Sequence, residues 1–460
     1  MSKKMRQEKH EPQTGQIRAF FEPKSVALIG VPRRTGRASF NILETLVNCG
    51  YPGELYPVNP NADSILGLKA YPKIESLPYG IELAIIMVPR DMVLNAIDSC
   101  AKMGIKAATI VSDGFAEAGS EGRALQKQIV NRARAGGIRL VGPNSLGSIN
   151  NFQPFSSSFL PPSPIKAPIA MVSQSGGFFE GFFDFVASKG IDLGNMCDVD
   201  FADILEYLEV DPDTRLIFLH IEGLNQGRRF LKVAKRVSQK KPILVLKTGR
   251  TAPAARAIAS HSGSLAGQDK LYDVAFQYAG IIRVENSDEL GDVAKALLYL
   301  PPLKGNRVGI ITPTGGCAIM AVDALDKEGL EPAQLSPKTI DALKNYFPIW
   351  APPRNPLDML AAGMAHGYKN IYKACLEALL DDPQVDAIIC IAGWPTVKTI
   401  QDISAGKSKP VVVWMQGRWT GESVSWIEKL DYKTAYPTPE RAARALSVLR
   451  RYGNWKEENR

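Results

Sequence analysis

Four histidines occur in the sequence, His10, His220, His261 and His366, and only His261 stands among small residues, in "ASHSGSLAG" (259–267). Small neighbours leave room for a ligand or for a group attached to the ring. A neutral imidazole near its ordinary pKa of ~6.5 is a good phosphoryl acceptor at neutral pH. A solvated turn residue fits the same composition. Glu222 ends the apolar run "FLHIEGL", where a carboxylate can hold one ring nitrogen and leave the other as nucleophile. The alternative readings are a surface carboxylate or a partner for Arg228 or Arg229. "SQSGG" (173–177) follows another apolar run and opens a helix near Gly176. Its free N–H groups, with Ser173 and Ser175, form an anion site. The bulky Phe178, Phe179, Phe182 and Phe183 that follow suit the buried face of that helix or an acyl pocket.

A second anion-friendly loop is "GVPRRTGRAS" (30–39), between an apolar strand and a helix. Backbone N–H groups in such a loop approach phosphate oxygens, and Arg33, Arg34 and Arg37 add cations of bidentate geometry. A solvated basic turn is the other reading. The spacing is not that of a dinucleotide fingerprint, because Gly36 is the next glycine after Gly30 and Pro32 lies between them. An NAD-dependent dehydrogenase is therefore disfavoured.

These residues need a scaffold that brings loops to one rim. Short β-branched runs, "SVALIG", "GELYPVN", "LAIIMVP", "AATIVS" and "IRLVGP", alternate with amphipathic segments, the pattern of a parallel sheet covered on both faces. A second series ("IAMVSQ", "RLIFLHIEG", "PILVLKTG", "GIIRVEN") follows the Pro-rich "LPPSPIKAP", and a third ("RVGIITPTGG", "DAIICIAG", "PVVVWMQG") follows "LPPLKGN". The chain is thus expected to be α/β: a flexible N-terminal arm over 1–17 and domains over 18–155, 165–300 and 305–455. Ligands bind at the carboxyl ends of strands in such sheets.

Composition excludes several classes. The chain has 460 residues, 45% hydrophobic and 22% charged, and no apolar run approaches the ~20 residues that span a bilayer. The polar N-terminus has no secretory pattern, so a cytoplasmic location is expected. Six scattered cysteines form no metal-ligand spacing. The net charge of +8 is spread rather than blocked, which favours small phosphorylated ligands over nucleic acid.

The motifs together resemble the α subunit of the ADP-forming (NDP-forming) acyl-CoA synthetases, relatives of succinyl-CoA synthetase. The resemblance spans 18–455 and rests on "SVALIG", "YPVNPNADSILGLKAY", "GFAEAGSEG", "GPNSLGSIN", "SQSGG", "DVDFADILEYLEVDP", "IEG", "LKTGR", "SHSGSLAG" and "RNPLD". It implies a Rossmann-like CoA-binding domain followed by two flavodoxin-like, doubly wound parallel-sheet domains. His261 then resembles the phosphohistidine and Glu222 its orienting carboxylate. Ser173, Ser175, Gly176 and Gly177 resemble the phosphate-binding turn. Gly30, Pro32, Arg33, Thr35, Gly36, Arg37, Pro57, Asn59, Val88 and Pro89 resemble the rim that contacts coenzyme A.

The implied reaction converts acyl-CoA, phosphate and ADP into a carboxylic acid, CoA and ATP through an acyl phosphate and phosphohistidine. No Walker-type loop is present, so ADP or ATP with Mg is implied on a separate ATP-grasp β subunit, in a hetero-oligomer. No nucleic acid, membrane or metal site of this chain's own is expected. A non-catalytic CoA-binding or regulatory homologue is the alternative. The segment 189–200, "KGIDLGNMCDVD", is expected to be shorter than in relatives by one short strand, next to the phosphate turn.

Overall fold

The computed structural model describes residues 11–33, 41–178, 187–254, 269–416 and 434–460. Thr35, Gly36, Arg37 and His261 lie outside the described residues. The chain divides into two compact units, 1–283 and 284–460.

The first sheet of the first unit contains β1 (Ser25–Ile29), β2 (Glu54–Val58), β3 (Leu83–Ile86), β4 (Ala107–Ile110) and β5 (Arg139–Val141), all parallel, in the order β2-β1-β3-β4-β5. Each of β3 and β4 is buried at every residue, as expected for strands covered by helices on both faces. The order reverses between β1 and β3, which opens a crevice outside their carboxyl ends.

The second sheet holds β6 (Ser148–Asn150), β7 (Phe155–Ser156), β8 (Ile169–Ser173), β9 (Lys189–Asp192), β10 (Leu216–Ile221), β11 (Ile243–Lys247) and β12 (Ile281–Val284), in the order β12-β11-β10-β8-β9-β6-β7. Strands β8 to β11 are parallel neighbours, and β6 joins β9 antiparallel. Here the order reverses between β8 and β10. The expected border near 155 thus falls at the edge hairpin β6–β7 of this sheet.

Within the segment 189–200, "KGID" is itself β9, paired with β8 along its length. Its first residue explains why a Lys can stand in a buried strand. Lys189 is fully buried, and its Nζ lies 2.6 Å from Asp211, 3.0 Å from Asp213 and 3.1 Å from Glu22. Among the described residues these three carboxylates come close enough to hold a metal, and the ammonium serves as their cation. Within the expected N-terminal arm, helix α1 covers Glu11–Arg18. The helix is tied down by buried Ile17 and by Gln16 Nε2, which donates to the Gly137 carbonyl at 2.9 Å.

The motif "DVDFADILEYLEVDP" acts as a cap. Asp200 closes the N-terminus of helix α2 (Phe201–Val210) with a reciprocal bond from Asp203, which satisfies N–H groups that the helix cannot. Arg139 at the start of β5 binds Asp198 at 2.8 Å and Asp203 at 3.0 Å, so the same carboxylates clamp the two sheets together.

In the second unit, β13 (Arg307–Thr312), β14 (Glu331–Pro332), β16 (Ala387–Ala392), β17 (Val411–Met415) and β18 (Ala435–Tyr436) run in the order β14-β13-β16-β17-β18, and β15 (Leu357–Asp358) also pairs with β13. These pairings are all parallel. No helix among the described residues is long and apolar enough to cross a membrane.

Candidate functional site

The first crevice lies at the carboxyl ends of β1 and β3. Gly30 leaves β1 with φ +84°. A Cβ there would stand 2.8 Å from Val88 Cγ1 and 3.2 Å from the Met87 carbonyl carbon, so glycine is required both by backbone sign and by space. Asn59 closes the loop, donating from Nδ2 to the Val31 carbonyl at 2.9 Å and accepting from Asn61 N at 2.8 Å. Asn41 donates to the Pro32 carbonyl at 3.4 Å and caps the next helix. Arg33 is exposed, and its Nη1 reaches the Asn61 carbonyl at 3.2 Å. Val88 is half-buried, Pro89 exposed and Pro57 buried. Among the described members of the expected CoA rim, Gly30, Pro32, Arg33, Asn59, Val88 and Pro89 therefore gather at one strand-end crevice. Pro57 lies beneath, inside β2.

The second crevice lies between the ends of β8 and β10. Pairing places Ser173 opposite Asp192 on one side and His220 on the other. Ser173 Oγ donates to the Ser175 carbonyl at 2.8 Å and accepts from Ser175 N at 3.0 Å. Gln174 is buried, and its Oε1 accepts from Glu222 N at 2.7 Å and Gly223 N at 3.0 Å, tying the turn after β8 to the turn after β10. The helix expected near Gly176 begins as a short 3-10 turn, Gly176–Phe178; residues 179–186, with Phe179, Phe182 and Phe183, lie outside the described residues. Gly176 is crowded: an added Cβ would sit 2.4 Å from Leu146 Cδ1 and 3.4 Å from Asp192 Oδ2. Gly177 is exposed.

Glu222 is buried rather than a surface carboxylate. Arg229 binds Asp200, Asp203 and Glu206 instead. Next to Glu222, Lys247 ends β11, donates to the Glu222 carbonyl at 2.9 Å and to that of Thr248, and lies 4.7 Å from the centre of the Tyr272 ring. Burial pushes the Lys247 ammonium below its ordinary value, against the attraction of Asp269.

A polar link ties the loop after β4 to the turn after β9. Glu117, in the loop after β4, accepts from Gly114 N at 2.7 Å and Phe115 N at 3.0 Å, and Asn195, just past β9, donates to its other oxygen at 2.5 Å. Burial opposes the charge of Glu117, yet these donors hold its carboxyl below the ordinary range.

Sequence reasoning passed over His220, Asp192, Gln174, Lys247 and Asn195 as site residues. A signal existed for two of them: His220 and Lys247 are polar residues in otherwise apolar strands, and a central strand tolerates such a residue only with partners.

The chain's CoA-binding and flavodoxin-like domains, with polar crevices at their strand ends, define an acid–CoA ligase. The family described as CoA binding domain matches residues 24–151, succinyl-CoA ligase like flavodoxin domain 166–297, and ligase-CoA domain 308–424. The sequence is 35% identical to acetate–CoA ligase [ADP-forming] I subunit alpha of Pyrococcus furiosus, over 96% of this chain and 99% of that one. It is 36% identical to acetate–CoA ligase [ADP-forming] I of Archaeoglobus fulgidus over 96% of this chain, but spans only 64% of that longer protein. The fold matches the dinucleotide-forming acetyl-coenzyme A synthetase 1 of Ca. Korarchaeum cryptofilum, solved with phosphate and ADP, with a TM-score of 0.85, 34% identity, and coverage of 96% of this chain and 98% of that one. The chain belongs to the family of ADP-forming acetyl-CoA synthetase α subunits.

Proposed function

We propose that this chain is the catalytic α subunit of an ADP-forming acyl-CoA synthetase that works through a phosphohistidine at His261. The observation that carries the reading is the presence, in one compact unit, of two strand-end crevices whose sheets are tied by the bond between Glu117, after β4, and Asn195, after β9. Coenzyme A is assigned to the Gly30–Val88 crevice, with Thr35, Gly36 and Arg37 of the same loop, and phosphate to the Ser173–Gly177 turn.

Phosphate attacks the thioester carbonyl, the C–S bond breaks, and CoA leaves as thiolate, giving an acyl phosphate. Imidazole nitrogen of His261 then attacks phosphorus and the P–O bond to the acyl group breaks, which releases the carboxylate. ADP takes the phosphoryl group from the ring to give ATP. Charge moves onto oxygens in each step, so positioned donors do most of the catalytic work. Gly176 and Gly177 supply N–H groups and Ser175 its hydroxyl, the Ser175 N–H being taken by Ser173 Oγ, and Glu222 orients the ring. The small residues that flank His261 in the sequence suit a phosphorylated imidazole that moves between acyl and nucleotide sites.

The nucleotide and its Mg are assigned to a separate ATP-grasp β subunit, in a hetero-oligomer. Supporting this, the Pyrococcus relative is itself named an α subunit. The alternative, a non-catalytic CoA-binding or regulatory homologue that keeps the fold, predicts no label with any partner.

The test is incubation of the chain and its β partner with labelled ATP and Mg. Acid-labile, base-stable label that vanishes in His261→Ala is expected; absence of label with any ATP-grasp partner overturns the reading.

A further inference from the structure

We propose that His220 is a positioning residue for phosphoryl transfer, a neutral imidazole protonated on Nδ1 that locks the Ser173 turn to Thr248. The inference rests on the assignment of phosphate to the Ser173–Gly177 turn.

His220 is buried in β10, with Nδ1 3.1 Å from Ser173 Oγ and Nε2 3.0 Å from Thr248 Oγ1. Ser173 has one hydroxyl proton, and it goes to the Ser175 carbonyl. The ring must therefore be the donor at Nδ1. In the neutral ring Nε2 is then an acceptor, and the Thr248 hydroxyl donates to it. One imidazole thus spans three strands: it touches the turn after β8, sits in β10, and reaches the residue that follows β11. Thr248 lies thirteen residues before His261, so the lock joins the phosphate turn to the segment that leads to the nucleophile.

The turn itself does not need a histidine. In the second unit Thr312 makes the same pattern at the end of β13, donating to the Thr314 carbonyl at 2.8 Å and accepting from Thr314 N at 3.1 Å. Ile311 pairs with Cys390 there, so apolar Ile391 follows where His220 stands beside Ser173. A residue needed only for folding the turn would recur; His220 does not.

The test uses the full chain with its β partner. In His220→Phe the KM for phosphate should rise about tenfold, the discrimination of one lost buried hydrogen bond, about 1.4 kcal/mol, while the KM for CoA stays within about twofold. His220→Asn, whose amide can reach Ser173 as Nδ1 does, should recover most of the phosphate affinity. In ¹⁵N-histidine-labelled wild type, the ring resonance lost in either variant should be that of a neutral ring protonated on Nδ1. A folded His220→Phe with unchanged phosphate KM, or a ring protonated on Nε2 alone, overturns the proposal. If His220→Phe does not fold, the wild-type ring spectrum and the Asn variant still decide it. Failure of the phosphohistidine reading shows separately, as absent label on wild type, and leaves the ring spectrum and direct phosphate titration as readouts for His220.

Discussion

Replacing Lys189 with methionine keeps the length of the side chain and removes its charge, leaving Asp211, Asp213 and Glu22 facing one another without a cation. Lys189 is fully buried; side-chain exposure is 2% for Asp211, 14% for Glu22 and 36% for Asp213. Removing one partner of a buried ion pair costs about 3–5 kcal/mol. Solvent access to Asp213 and Glu22 discounts their share, so we expect a loss of about 3 kcal/mol near neutral pH. The pH dependence follows from the shifts. Burial works against the Lys189 ammonium, but hydrogen bonding and attraction from Asp211 outweigh it and raise its pKa above 10.5. Its contribution is complete below 10.5 and fades as pH rises through the folded value. Burial also opposes the Glu22 charge, but Arg18 and Lys189 hold its pKa below 4.5. Its contribution is complete above 4.5 and is lost as pH falls through the folded value. The gap between wild type and Lys189→Met should therefore be widest between these limits and narrow below about pH 4.5 as the crowded carboxylates take up protons. Urea unfolding followed by far-UV circular dichroism measures it. Tryptophan fluorescence follows the other unit as reference, because every tryptophan lies at or after Trp350. A loss below about 1 kcal/mol near pH 7, or one that does not shrink in acid, refutes the reasoning.

Gly30→Ala forces a side chain into a left-handed backbone and onto Val88, which costs about 1–2 kcal/mol before the clash is relieved; CoA affinity by calorimetry should fall at least about tenfold. Unchanged affinity would remove CoA from that crevice. Glu222→Gln keeps the shape but not the charge proposed to orient His261; the rate of His261 labelling in a quench experiment should drop by about a hundredfold, and an unchanged rate would reduce Glu222 to packing. Asn195→Ala cuts the link to Glu117. Acyl phosphate formation should slow about tenfold with CoA affinity intact; equal loss in both would point to collapse of the Glu117 loop instead.

Strand positions were legible because the parallel sheets are buried on both faces and read as unbroken apolar runs. The runs at 25–30, 83–89, 169–173 and 216–222 became β1, β3, β8 and β10, with their expected polar residues at the ends. What stayed hidden was what apolar patterning does not encode. "KGID" has two charges in four residues, so it does not read as a buried strand; only the three carboxylates brought from Glu22 and the 211–213 turn make Lys189 tolerable there. The hairpin β6–β7 is hidden in the sequence for a related reason. Its pairing with β9 is non-local, and short polar strands such as Ser148–Asn150 carry no periodicity of their own. Gln174 and Asn195 matter through bonds to backbone or side chains 48 and 78 positions away, a relation no local spacing expresses.

All three sheets wind the same way, so each presents a crevice after its first strand, and the fold alone does not choose among them. The second and third sheets match further than topology. Ser173 is flanked by Asp192, and Thr312 by Asp358. A Cβ on the glycine after each turn would lie at nearly the same distance from that aspartate, 3.4 Å from Asp192 Oδ2 for Gly176 and 3.3 Å from Asp358 Oδ2 for Gly315. Turn, aspartate and glycine are therefore what this winding needs to make a tight strand-to-helix passage. The chemistry must come from what the two crevices do not share: His220 in place of an aliphatic residue, and Glu222 with Lys247 beside it. Substitutions at His220 and Glu222, rather than in the shared turn, therefore separate the chemistry of the second crevice from its folding.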